Sequence, residues 1–279
     1  MSTFALSLAL LAAFLHATWN AVVKANGERA VVLGAIAFVH FALGVVLAAL
    51  SPAPARESWP MIAASGTIHY LYYFTLFQSY QLGDLSHVYP ISRGIAPFLV
   101  AIGAWIFAGE VLSPGAMAGL VAISLGIGLL ALSRGALNAD PRAVVAALAT
   151  GTMIAAYSVV DGLGIRASGS PMGYIGWLFV TELPITLVIA WRRRRILPNL
   201  LPRTIAQGLA GGTLSAAAYG IVLYAKTLAP LAAISAVRES SVIVAALIGV
   251  VLFKERPWRR RVACAALVAL GVIALAVSP

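Results

Sequence analysis

Four charged residues of this 279-residue chain stand where charge is expensive. Arg93, Glu182, Arg238 and Glu239 each lie well inside a long apolar run. An ionisable side chain immersed in hydrocarbon needs a partner or a watery cavity. Arginine offers a fork of donors that fits a carboxylate or a phosphate. Arg93 and Arg238 therefore read either as a cationic solute site or as members of ion pairs. In the second case Arg238 would pair with Glu239 or Glu182, and Arg93 with a helix end or backbone carbonyls. Glu182 and Glu239 are candidate proton carriers, because burial disfavours the charged form of a carboxyl, or else static counter-ions of Arg238. Asp161, four residues past Tyr157 and close to the end of its run, is a third proton-coupling candidate, with a solvated interface position as its alternative.

Uncharged polar and aromatic residues add to this set. His16, Asn20 and Lys24 follow an i, i+4, i+8 stripe, which gives the first run one polar face, with Trp19 beside it. Such a face belongs toward a bundle interior, lining a cavity or bonding between helices. In the third run His69, Tyr73, Phe77 and Tyr80 share a face, and Tyr70, Tyr72 and Phe74 lie between them. Rings with an apolar body and a polar tip suit an amphiphilic or aromatic solute; for Tyr80 and Trp191 an interfacial aromatic belt is the alternative. Tyr89, Tyr157 and Tyr219 interrupt otherwise apolar runs and join the binding candidates, as does Glu239. His40, alone in its run, reads as a hydrogen-bonded packing residue. No H-E-x-x-H, G-x-S-x-G or phosphate-loop pattern occurs, and the histidines lack metal-ligand spacing. No cofactor, metal or enzymatic activity is expected; an intramembrane enzyme without a recognisable motif is the rival class.

The elements that must carry these residues follow from composition. Apolar residues make up 61% of the chain and charged residues 10%, against about a quarter charged in soluble domains. Ten apolar runs approach or exceed the roughly 20 residues that span a bilayer as helix. They are Thr3–Val23, Ala30–Leu50, Pro60–Tyr80, Ser86–Ala108, Pro114–Ser133, Ala143–Val160, Pro171–Trp191, Thr204–Ala225, Pro230–Phe253 and Val262–Val277. A spanning β-barrel would show period-two alternation, which is missing here. The first run lacks a basic leader and holds His16, Trp19, Asn20 and Lys24, so it is expected to be retained rather than cleaved. Pro90 and Pro97 flank Arg93 and Pro184 follows Glu182, predicting kinks or freed carbonyls beside intramembrane charge. Gly208, Gly211, Gly212, Gly126 and Gly271 read as points of close helix contact. The single Cys264 permits no intrachain disulfide.

The formal charge of +10 does not indicate a nucleic-acid partner, because the basic residues cluster in short connections between runs. Fourteen of the 19 Lys and Arg residues fall on one side of a ten-span layout, including Arg192–Arg195 and Arg259–Arg261. Only Arg56, Arg166 and Lys226 fall on the other. The positive-inside rule puts the fourteen in the cytoplasm and both termini in the periplasm.

Sliding the chain by 145 residues superposes Arg93 on Arg238, Glu110 on Glu255, Leu125-Gly126 on Leu270-Gly271 and Ser133 on Ser278. Runs four and five thereby map onto nine and ten. An odd number of spans per copy makes the second copy enter the membrane from the other side, an inverted repeat of the kind common in secondary transporters. The fold class expected is an all-α integral membrane protein of ten transmembrane helices in two inverted five-helix repeats, 1–136 and 137–279.

With this layout the chain resembles the drug/metabolite transporter superfamily, in its ten-helix EamA-type branch. The resemblance rests on His16-Ala17-Thr18-Trp19-Asn20-Ala21 with Lys24, on the paired endings Phe107-Ala108-Gly109-Glu110 and Phe253-Lys254-Glu255-Arg256-Pro257, and on Ala155-Ala156-Tyr157 as a second copy of the first signature. It implies export or exchange of a small metabolite, amino acid, sugar or drug through a cavity between the halves. The four-helix relatives couple to protons through a glutamate in helix 1, where this chain has His16 and no carboxylate. Expected partners are a small-molecule solute and the lipid bilayer, in a monomer or homodimer. The Ala/Arg/Gly-rich usage fits a bacterial inner (plasma) membrane.

Overall fold

The computed structural model describes residues 1–24, 28–83, 85–132, 140–199, 201–244 and 258–278. Among these residues the secondary structure is helical, without a strand. The helices are α1 (Thr3–Lys24), α2 (Arg29–Leu50), α3 (Trp59–Leu82), α4 (Leu85–Ala108), α5 (Pro114–Leu132), α6 (Pro141–Ala167), α7 (Pro171–Val180), α8 (Leu183–Arg193), α9 (Pro202–Ala225), α10 (Leu231–Arg238) and α11 (Trp258–Val277). Prolines occupy the first helical turn in α3, α6, α7, α8 and α9, where no intrahelical N–H bond is lost. Asp140 and Ser170 cap α6 and α7 by accepting from the N–H groups of Arg142 and Gly173.

These elements form the ten spans of an integral membrane protein. Six segments of the described chain are long and apolar enough to cross a bilayer unaided, and Pro114–Leu130 and Val262–Val277 are shorter apolar helices. α7 and α8 are one span broken in its middle, and α10 opens the ninth, whose continuation past residue 244 lies outside the described residues. The seventh and ninth runs each turn at a glutamate, Glu182 after α7 and Glu239 after α10, the first of them beside Pro184, where a kink or freed carbonyls are expected. Conversely, α4 runs unbroken through both Pro90 and Pro97. α6 is longer than its apolar run suggested and continues through Asp161 to Ala167.

Packing shows the two halves interlocked. α1 lies along α9 and α6 along α3, so the first helix of each half packs on the third helix of the other. Equivalent spans also pair directly, α5 with α11 and α2 with α7 and α8, while α4 packs on both α5 and α6 and α2 also packs on α9. Small residues permit these crossings, as their sequence positions predicted. A methyl group on Gly119 or on Gly271 would stand 2.6 Å from the other's carbonyl oxygen, and one on Gly208 would meet the Ala35 side chain at 2.6 Å.

Four connections meet at one end of the bundle. The Ala55 N–H donates to the Ser168 carbonyl (2.8 Å) and the Ser170 hydroxyl to the Pro52 carbonyl (2.8 Å). Arg166 Nε donates to the Lys226 carbonyl (2.8 Å), Nη2 to the Ala229 carbonyl (2.8 Å) and Nη1 to Glu110 Oε1 (2.6 Å). The other Glu110 oxygen accepts the Leu231 N–H at 2.7 Å. Gly109, in the left-handed region at φ 65°, turns the chain so that Glu110 reaches this position. Connections 2–3, 4–5, 6–7 and 8–9 therefore share a face, as ten spans require, and Arg192–Arg195 are exposed. Lys226 is not the loop charge that its place in the sequence suggested. It is fully buried, its ammonium donates to the Ser158 carbonyl (2.7 Å), and burial pulls its pKa down to about 7, against the opposing pull of Asp161.

Two outcomes test this layout. Cysteines placed at the exposed positions Val111 and Ala167 should react with an impermeant maleimide from one side of the membrane, and one at Arg194 from the other; native Cys264 is buried. Labelling of positions 111 and 194 from the same side would refute it. Glu110→Ala strips the acceptor from Arg166 and Leu231, and should cost about 1–3 kcal/mol, seen as a lower melting temperature in detergent.

Candidate functional site

Three of the four intramembrane charges, Arg93, Arg238 and Glu239, converge from opposite halves. Glu239, at the turn that ends α10, is 1% exposed and lies between two guanidinium groups. Its Oε1 accepts from Arg238 Nη2 (2.9 Å) and Nε (3.2 Å) and from Arg93 Nη1 (3.3 Å), with Oε2 at 3.4 Å from the same Arg93 nitrogen. The Arg238–Glu239 pair was an anticipated alternative. Arg93 corrects the expectation of a helix end or carbonyl partner, because α4 passes close to α10 and presents it to the same carboxylate. Arg93 Nη2 also approaches His16 Nε2 at 3.0 Å, and its guanidinium stands 5.3 Å from the Tyr89 ring centroid. The second nitrogen of His16 faces the Trp19 indole N–H at 3.2 Å. His16, Trp19, Tyr89, Arg93, Arg238 and Glu239 thus form one cluster, built from α1, α4 and α10.

Charge and donor counts say what this cluster can do. It holds two guanidinium groups and one carboxylate, all buried. Around His16, both ring nitrogens face groups that only donate, whereas a neutral imidazole has one accepting nitrogen. One donor is therefore left unmatched, and the cluster carries an excess of one positive charge. Ser235 and Ser241, which flank this segment, have buried hydroxyls without a hydrogen-bond partner. A surplus of donors and of positive charge is what an anion with several acceptor atoms would complement.

A second cluster adjoins it through aromatic rings. His69 stacks on Tyr157 (4.2 Å between centroids) and meets Tyr219 edge-on (5.8 Å); Tyr72 meets Tyr157 at 5.7 Å and Tyr73 at 5.3 Å. Asp161, on α6, is fully buried and accepts from the Tyr174 hydroxyl at 3.1 Å and from the Tyr219 hydroxyl. The solvated interface is thereby overturned for Asp161: two phenol donors satisfy it, and α6 can continue past it. Tyr72 and Tyr174 belong to this network but were not among the sequence candidates. Their tyrosine chemistry was visible, but only the packing of the helices sets Tyr174 of α7 against Asp161 and Tyr72 of α3 against Tyr157.

The remaining candidates stand apart. Asn20 donates to the His16 carbonyl of its own helix (2.7 Å). Phe77 is 57% exposed and makes no ring contact among the described residues. Glu182 does not pair with Arg238; it meets His40 Nδ1 at 2.9 Å, because α2 packs against the α7–α8 break. The side chains of Lys24 and Tyr80, and the segment Phe253-Lys254-Glu255-Arg256-Pro257, lie outside the described residues. No group of three His, Cys, Asp or Glu side chains suited to a metal occurs among the described residues.

Residues 141–277 match the EamA-like transporter family. A solved structure whose title reads only "Crystal structure of protein" is similar across 98% of this chain and 96% of its own, with a TM-score of 0.73 at 18% identity, a likeness of fold. No curated protein matches the chain.

The cluster makes an asymmetric prediction. Arg93→Leu leaves Glu239 paired with Arg238, whereas Glu239→Gln leaves two buried cations facing each other. Glu239→Gln should therefore be the more destabilising by about 3 kcal/mol, read as a larger fall in detergent melting temperature. Equal falls would mean that Glu239 does not hold both arginines.

Proposed function

The chain belongs to the EamA-like transporter family, in the drug/metabolite transporter superfamily, through the match of residues 141–277, and we propose that it is a secondary transporter of a small carboxylate-bearing solute, an amino acid or similar metabolite. The family is one of membrane transporters. The observation that carries the solute class is the donor-rich, singly positive cluster of Arg93, Arg238, His16 and Trp19 around Glu239. A solute carboxylate would supply the negative charge and acceptor oxygens that this cluster is short of. The neighbouring rings of His69, Tyr72, Tyr157 and Tyr219 would receive the rest of the solute, their faces holding apolar parts and their hydroxyls orienting polar ones.

Alternating access follows from the same arrangement. The cluster takes Arg93 from the first repeat and Arg238 with Glu239 from the second, so a solute bound there touches both halves. Halves related by inversion can close in turn on either side of such a site. The bonds through Glu110, Arg166, Ser170 and Pro52 join the halves at one end, which supports a state closed on that side. The positive-inside rule places this end in the periplasm, with the arginine-rich connections cytoplasmic. On this reading the protein works in a bacterial inner membrane and exports or exchanges its solute.

Counterflow in proteoliposomes tests the proposal. Labelled amino and carboxylic acids should exchange, while their neutral amide analogues should not. Arg93→Leu and Arg238→Leu should each lower exchange about tenfold or more, the loss expected for a charge-assisted bond, with membrane insertion retained. Full exchange in both variants would remove the arginine role, and consumption of the acid instead of exchange would favour an enzyme.

A further inference from the structure

Among the described residues three carboxylates are buried, Asp161, Glu182 and Glu239, and their surroundings differ. Glu239 accepts from two arginines, so each of its oxygens already faces a donor. Asp161 accepts from two tyrosine hydroxyls, with the Lys226 ammonium nearby in the same buried region. Glu182 has only His40. One of its oxygens lies 2.9 Å from His40 Nδ1, while Glu182 Oε2 and His40 Nε2 are both buried without any hydrogen-bond partner. The two side chains are 9% and 6% exposed.

We propose that His40 and Glu182 together form the proton-binding site of this transporter, taking up and releasing one proton as a unit. The argument is a count of donors and charge. With neutral His40 donating through Nδ1 and Glu182 ionised, the pair carries one negative charge in a buried setting, and two acceptor atoms face no donor. One proton from water, added at Oε2 or at Nε2, makes the pair neutral overall and turns an orphan acceptor into a donor. Imidazole with carboxylic acid, and imidazolium with carboxylate, are the two ways of holding that proton. The groups facing the pair permit this. They are the hydroxyls of Tyr70 and Tyr73 from α3, neither of them a cation. The Phe179 ring of α7 stacks on His40 at 4.7 Å.

The position of the pair gives the proton a mechanical consequence. Glu182 is the residue at which the seventh span breaks. Pro184 has no N–H to offer, the Ile185 N–H turns to the Glu182 carbonyl, and the freed Thr181 carbonyl is taken by the Tyr70 hydroxyl. His40 stands on α2, in the first repeat. Charge on the pair thus acts on a joint in one half from a helix of the other. Phe179 also stacks on Tyr219, at 6.3 Å, and Tyr219 donates to Asp161, so rings link the joint to the proposed solute site. The inference depends on the transport reading for its purpose, but not for its observation.

Infrared difference spectra of the purified protein in liposomes, recorded across a pH titration without solute, provide the test. A single buried carboxyl or imidazolium signal should titrate in the native protein, vanish in Glu182→Gln, and persist in Asp161→Asn, Glu239→Gln and Lys226→Met. His40→Gln retains the carboxyl but removes its partner, and should shift the midpoint by about one pH unit or more. Survival of the signal in Glu182→Gln, or its loss in Asp161→Asn alone, would overturn the proposal. Should Glu182→Gln fail to insert, an unshifted midpoint in His40→Gln would overturn it equally. Because no solute is present, a failed counterflow experiment leaves this result standing, and the reverse also holds.

Discussion

An ion inside a bilayer must be compensated by whatever the fold brings to it, and here that requirement joins the two halves of the chain. Glu239 neutralises one arginine from its own segment and contacts another from a helix of the opposite repeat. Removing the carboxylate leaves two buried cations without their counter-ion, so the contact between the halves and the compensation of charge are one interaction. In the transport reading this sets the terms of movement. The halves can rearrange around the cluster only if its ions keep partners throughout, and an anionic solute with several acceptor atoms is a partner that can arrive and leave.

The helices are interrupted where the carboxylates are. Glu182 and Glu239 each occupy the turn after a short helix, and the connected backbone groups find partners nearby. Irregular backbone at membrane depth is tolerated where protein surrounds it. Proline alone does not decide the matter. α4 carries two prolines and stays continuous between α5 and α6, whereas the span containing Pro184 separates into two helices of 10 and 11 residues. The two repeats therefore share an architecture but not its details. Both breaks seen among the described residues fall in the second repeat, and the His40–Glu182 pair has no counterpart at the positions 145 residues away, Ile185 and Ala37.

At the end of the bundle where connections 2–3, 4–5, 6–7 and 8–9 meet, charge acts differently. Glu110 and Arg166 are partly exposed and gather carbonyls and an N–H from several connections. Such contacts are modest in energy and can be remade, in contrast to the fully buried cluster.

Much of the fold was legible in the residues alone, because hydrocarbon imposes a simple rule on composition and length. Ten apolar runs, the odd number of spans per copy and the repetition of Arg93 at Arg238 were enough to expect an inverted pair of helical repeats. The same rule singled out Arg93, Arg238, Glu182 and Glu239, since each is anomalous in its run. Partner choice was not legible. Which carboxylate meets which arginine depends on how α4 and α10 pass, and His40 gains its interest only because α2 packs on a break between Val180 and Leu183. Asp161 looked like the end of a span, since a carboxylate next to polar sequence usually is; its burial required Tyr174 and Tyr219 from two other helices. Sequence determined what each span could tolerate, and the packing of spans decided which charges and hydroxyls satisfy one another, because such partners lie far apart along the chain, 146 residues in the case of Arg93 and Glu239.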